Sequence, residues 1–144
     1  MELRTEIEIE APPERVWEVL TNFAAFQEWN PFITEARGEL RSGAQLSITI
    51  ALPEGSEQTF RPKVVRVDPA QELRWRGTLG AAWIFSGEHF FSLEALDEGR
   101  RTRLVHGEDF SGILVKFLGP TLTRTARGFV LMNQSTKRRC EGRS

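Results

Sequence analysis

The 144-residue chain has no tyrosine, a single cysteine and only two histidines, and each scarcity removes some chemistry. Without tyrosine there is no phenol to serve as a proton donor. One cysteine, Cys140, leaves no intramolecular disulfide and no thiolate metal cluster. It stands in a basic stretch with no sequence signal of a base to activate it, so it reads as a bystander rather than a nucleophile. No apolar run approaches the ~18 residues needed to cross a bilayer, and the opening Met1-Glu2-Leu3-Arg4-Thr5-Glu6 has no apolar signal region. These absences lead us to expect a cytoplasmic protein without membrane insertion. A dominant charge is missing too. Nineteen Lys and Arg against 20 Asp and Glu give a formal net charge of −1, which supplies no general attraction to nucleic acid. The basic cluster Lys137-Arg138-Arg139 with Arg143 has no aromatic stacking residues beside it, so it is assigned to a helix C-terminus and no nucleic-acid partner is expected. There is no phosphate-binding glycine loop, Cys-x-x-Cys, His-Glu-x-x-His or Gly-x-Ser-x-Gly.

The residues present are those of an ordinary globular protein, 40% hydrophobic and 27% charged, and the length fits one domain over 1–144. Leu3, Thr5, Ile7 and Ile9 alternate with Glu2, Arg4, Glu6, Glu8 and Glu10, a two-residue period that predicts a strand with one wet face. Ala11-Pro12-Pro13-Glu14 then opens a helix that buries Val16, Trp17 and Leu20. A second short helix spans about Phe23 to Glu28, ending where Pro31 pushes Asn30 out of helical geometry. Strands are predicted over Ile33–Leu40, Ala44–Leu52, Thr59–Val67, Glu72–Leu79, Ala82–Leu96 and Thr102–Phe110, separated by turn-forming clusters such as Pro53-Glu54-Gly55-Ser56 and Asp97-Glu98-Gly99. With the first strand they make seven. Short links imply antiparallel neighbours, and Pro62 within one strand marks an edge or a bulge.

The stretch Ser111–Arg139 has a helical period. It places Leu114, Phe117, Leu118, Leu122, Phe129 and Met132 opposite Lys116, Thr123, Arg124, Arg127, Gln134 and Arg138. Gly119-Pro120 divides it into a lead-in turn, Gly112–Leu118, and a helix from about 120 to 139, followed by a short basic tail, 140–144. The order of strand, two helices, six strands and long helix predicts an α+β fold with the helices gathered on one face.

If Glu98-Gly99 form the turn between the last two strands, Leu93 faces Leu104, Phe91 faces His106 and His89 faces Glu108. Period-two alternation then puts both histidines and Glu108 on the inward face beside Phe91 and Phe110. A buried carboxylate needs a partner, a proton or a wet cavity. Three readings follow: a self-contained His–Glu pair that fixes register, the few polar points of an apolar ligand pocket, or an open site of two histidines and a carboxylate, for which no spacing fixes a metal. Parity turns Trp75 inward and Phe90 outward. An exposed Phe90, with Leu131 on the helix, would suit a homodimer or another protein contact.

The first strand, Ala11-Pro12-Pro13-Glu14-Arg15-Val16-Trp17, Trp29-Asn30-Pro31-Phe32, Gly87-Glu88-His89 to Leu93, Thr102 to His106 and the glycine-led C-terminal helix together resemble the START-like, or SRPBCC, superfamily. The nearest resemblance is to its small bacterial polyketide cyclase/dehydrase-like members. It implies a helix-grip fold, in which a seven-stranded curved antiparallel sheet wraps around the long C-terminal helix. The space between them would hold a small apolar or amphipathic molecule such as a lipid, polyketide or aromatic compound. The walls would be Trp29, Phe32, Trp75, Phe91, Phe110, Leu118, Leu122 and Phe129. His89, His106 and Glu108 would be ligand contacts and, in an enzyme, acid and base groups. A binding protein is the first expectation and a cyclase or dehydratase the second, with no cofactor and no metal in either.

Overall fold

The structure, a computed structural model, describes residues 1–53, 55–78, 80–81 and 83–142. Its elements are β1 (Glu2–Ile9), α1 (Pro13–Thr21), α2 (Phe26–Trp29), β2 (Ile33–Arg37), β3 (Ser47–Ala51), β4 (Glu57–Phe60), β5 (Lys63–Asp68), β6 (Glu72–Thr78), β7 (Ser86–Leu96), β8 (Arg101–Ser111) and α3 (Gly119–Cys140). The described residues thus form eight strands in two antiparallel sheets, ordered β1-β8-β7-β6-β5 and β2-β3-β4, not seven strands in one.

The extra strand originates at Pro62. The run expected as one strand, Thr59–Val67, breaks at Arg61-Pro62, so that β4 pairs with β3 while β5 pairs with β6. A proline cannot donate to a ladder and tends to sit at bends and edges. The two sheets remain joined at that bend: Leu46 N–H donates to the Pro62 carbonyl and Val64 N–H to the Ala44 carbonyl, both at 2.8 Å. The expected strand ends at Leu79 and Ala82, and Glu54 in one turn, lie outside the described residues.

The hairpin that carries the histidines has the expected register. Leu93 pairs with Leu104, Phe91 with His106 and His89 with Glu108 across the turn at Asp97–Gly99. Asn30 is extended, with ψ 114°, and its Oδ1 accepts from the N–H groups of Phe32 and Ile33. Pro120 sits in the first turn of α3, where its missing N–H costs nothing. A 3-10 turn, Val115–Phe117, precedes that helix, and its offset leaves Phe117 exposed instead of on the apolar stripe. Cys140 is the last helical residue and belongs to the core, not to a tail, and Arg143 lies outside the described residues.

Phe90 requires a correction. It does face the outer side of the sheet but is only 4% exposed. Across the strands it stands between Arg74 and Gly107. Glycine leaves room for the ring, which a Cβ at Gly107 would strike, and the Arg74 guanidinium caps it 4.7 Å from the centroid. It therefore offers no apolar surface for a homodimer.

The core fills the space between the inner faces of the sheets and the helices, with Phe26, Phe32, Phe91, Phe129, Leu104 and Met132 among its most buried side chains. At Gly128 the helix comes so close to Phe32 that a Cβ would overlap the ring. Such a close approach is one reason for glycine inside a helix despite its cost of about 1 kcal/mol.

Candidate functional site

A cavity of about 490 Å³ lies between β3, β4 and β6–β8 on one side and the first turns of α3 on the other. Its walls are mainly apolar, including Phe32, Ile48, Ile50, Leu52, Phe60, Trp75, Phe85, Phe110, Leu118 and Leu122. Arg61 and Arg124 border it as well, with His89 and Glu108 as its acid–base pair.

Each position follows from local structure. His89 and Glu108 are cross-strand partners on the inward face, so their side chains meet: His89 Nδ1 is 3.0 Å from Glu108 Oε1. The Glu108 carboxylate lies over Gly87, where any Cβ would overlap Oε2. Gly87 pairs with Gly77 on the neighbouring strand, and both border the cavity. Two side chains are thus absent where the carboxylate and the open space lie. Trp75 stacks on the His89 ring, centroids 5.1 Å apart and planes 10° from parallel.

Behind this pair runs a hydrogen-bonded chain whose direction is fixed at its far end. The Thr5 hydroxyl has one proton, which it donates to the His106 carbonyl at 2.7 Å. Its oxygen must therefore accept from Asn133 Nδ2 at 2.8 Å, which turns Asn133 Oδ1 toward His106 Nδ1, also 2.8 Å away. An amide oxygen can only accept, so Nδ1 of His106 carries the proton. Burial pushes the His106 pKa well below its ordinary value; the neighbouring His89 adds to this and the Asn133 bond opposes it. His106 is therefore the neutral Nδ1–H tautomer. Its bare Nε2 accepts from His89 Nε2–H at 2.8 Å.

The expected site residues are divided by depth. Phe32, Trp75, His89, Glu108, Phe110, Leu118 and Leu122 border the cavity. Phe91, His106 and Phe129 lie beneath it in the packed core, where the His106 ring is stacked between the two phenylalanines, 4.4 Å from Phe91 and 4.2 Å from Phe129. With both ring nitrogens engaged and the ring buried, His106 reaches the cavity only through His89. Trp29 packs edge-on against Phe26 and does not border the cavity. The two histidines and Glu108 bond to one another instead of converging on a point, and among the described residues no group of three His, Cys, Asp or Glu is placed to hold a metal ion. Sequence reading missed Ile48, Ile50 and Leu52, although their alternation was visible as a strand face. It also missed Gly77 and Gly87, whose role is spatial and leaves no signal in the pattern. Arg124, expected on the solvent side of the helix, borders the cavity.

This arrangement of antiparallel strands with a long C-terminal helix is shared with a known class. Residues 1–137 match the family described as polyketide cyclase / dehydrase and lipid transport, and the chain belongs to that SRPBCC-type family. Among solved structures it is similar to the Zhui aromatase/cyclase from Streptomyces sp. R1128, at 20% identity over 98% of this chain and 93% of that one, with a TM-score of 0.74. A protein from Thermus thermophilus matches at 18% identity, 99% and 98% coverage and a TM-score of 0.74. One from Rhodobacter sphaeroides matches at 17% identity, 98% and 92% coverage and a TM-score of 0.75. At these identities the likeness is one of fold. No curated protein matches the chain by sequence. No helix among the described residues is long and apolar enough to cross a membrane.

Proposed function

We propose that the protein binds one small, mostly apolar molecule, such as a lipid, polyketide or aromatic compound, in the cleft under the N-terminal half of α3. The carrying observation is a cavity of about 490 Å³ walled by aliphatic and aromatic side chains, with a single acid–base pair among them. Its size falls in the ~300–1,000 Å³ range of small-molecule sites. The family's description, which joins cyclisation and dehydration with lipid transport, supports the same reading. Native mass spectrometry of the protein purified from its host, with displacement of a solvatochromic dye, tests it. A bound mass lost in Leu122→Trp, which fills the cleft, is the expected result. Absence of both a bound mass and dye uptake would end the proposal.

A second reading rests on the Glu108–His89 pair. Both side chains border the cavity, and their hydrogen bond places a proton donor and acceptor beside any occupant. That suits cyclisation or dehydration by general acid–base catalysis. Turnover of a polyketide-like or aromatic substrate should fall about 10²-fold or more in Glu108→Gln. Unchanged turnover in that variant would leave binding as the sole role.

A further inference from the structure

Resting on the binding reading, we infer that Glu108 Oε2 is the docking point for a hydrogen-bond donor on the ligand, so the favoured ligands are apolar molecules bearing a hydroxyl group, phenols above all, rather than ethers or ketones of the same shape. The direction of the buried chain carries this step. Thr5, Asn133 and His106 leave His89 only one arrangement, with its Nε2–H pointed at His106. Glu108 Oε1 then faces His89 Nδ1 across 3.0 Å, and that hydrogen bond needs one proton between the two atoms. The proton sits either on Nδ1, making an imidazolium–carboxylate pair, or on Oε1, making a neutral pair. In both cases Oε2 keeps its lone pairs and carries no hydrogen.

Oε2 is also unoccupied. It has no hydrogen-bond partner among the described residues, and it lies over Gly87, whose missing side chain makes room for the carboxylate at the border of the cavity. Glu108 keeps 18% of its side-chain exposure while His89 keeps 3%, so the carboxylate is the more open of the two groups that border the cavity. A largely desolvated acceptor gains from a donor and gains nothing from a carbonyl or ether oxygen, which would set lone pairs against lone pairs. Polar discrimination of this kind depends on whether a buried group is left unpaired, and it exceeds what apolar walls can achieve by shape.

The test compares 2-naphthol with 2-methoxynaphthalene, which share a ring system and differ in the hydroxyl donor. Calorimetric titration of the full chain at neutral pH should give tighter binding of the naphthol by about tenfold, the usual effect of pairing a buried acceptor that is otherwise left unsatisfied. The naphthol-to-ether ratio should fall to near one in Glu108→Leu and should fall in Gly87→Ala, whose methyl group occupies the place of Oε2. If the leucine variant fails to fold, Glu108→Gln keeps the side chain's size and offers a neutral acceptor, and its ratio should lie below that of the wild type. Equal affinities in the wild type, or a wild-type ratio that survives in Glu108→Gln and Gly87→Ala, would overturn the docking point and leave the cleft in place. Failure of both naphthalenes to bind would overturn the cleft reading and this inference with it.

Discussion

The two halves of α3 lie in opposite surroundings. From Gly128 to Cys140 the helix buries Phe129, Met132, Asn133, Thr136 and Cys140. From Gly119 to Arg127 it buries none of its residues, and Leu122, Thr121 and Thr125 border open space. The difference begins at Gly128, where the backbone closes onto Phe32. On one side of that contact the aromatic rings pack in edge and stacked geometries, Phe32 against Phe129 at 5.4 Å and Phe129 against His106 at 4.2 Å. On the other side the helix stands off the sheet. One amphipathic helix thus supplies both a packed anchor and the roof of a cleft.

The strongest way to break this comparison is to truncate an equivalent side chain in each half. Phe129→Ala removes a ring at 0% exposure from the anchor and should lower stability by about 3–5 kcal/mol. Leu122→Ala, under the roof, creates no closed cavity and should cost less than about 1 kcal/mol while widening the cleft. Urea denaturation of both variants measures the contrast. Similar losses would mean that the roof is packed like the anchor.

This division was only half legible in the sequence. Period-two alternation and one Glu-Gly turn were enough to place His89, His106 and Glu108 on the inward face in the right register, because parity is insensitive to small errors in turn length. The 3.6 period of the last helix likewise showed which side met the sheet. Neither periodicity carries depth along the face. Phe91 and Phe110 share parity on adjacent strands, yet one lies in the packed core and the other borders the cleft. What separates them is how closely the helix approaches, and that depends on the missing side chain at Gly128, where the helix closes onto Phe32. Phe90 failed for the same reason: its outward parity was correct, but Gly107 and Arg74 cover it. Pro62 signals a bulge or an edge through its missing donor, and in the fold it divides the sheet.

A subtler probe asks whether the anchor depends on polar order as well as on packing. Asn133 is 2% exposed and holds both Thr5 and His106. Asn133→Leu keeps the volume and strands the His106 Nδ1–H among phenylalanines. Leaving a buried donor unpaired costs about 1–3 kcal/mol. The midpoint of chemical denaturation should fall accordingly, with the slope of the transition unchanged. A neutral or stabilising substitution would show that the chain sets tautomers without holding the anchor together.

The smallest effect is a pH dependence confined to the same ring. His106 has its folded pKa lowered by burial and by His89, whereas in the unfolded chain it titrates near 6.5. The unfolded state therefore binds the extra proton first as pH falls. The resulting stability is fully present above about pH 6.5 and is lost with a slope of up to ~1.4 kcal/mol per pH unit below it, until the folded ring itself is protonated. The ring meets His89 on β7, Asn133 on α3 and the aromatic faces of Phe32, Phe91 and Phe129. Of these groups only His89 is ionisable, and Glu108 lies beyond it. His106→Phe keeps the stacked aromatic shape and removes the titration, so its stability between about pH 6.5 and 5.5 should fall by about 1 kcal/mol less than that of the wild type. Parallel pH profiles for the two proteins would mean that the buried imidazole gains its proton as readily when folded as when unfolded, and the neutral state assigned to His106, with a bare Nε2 accepting from His89, would be wrong.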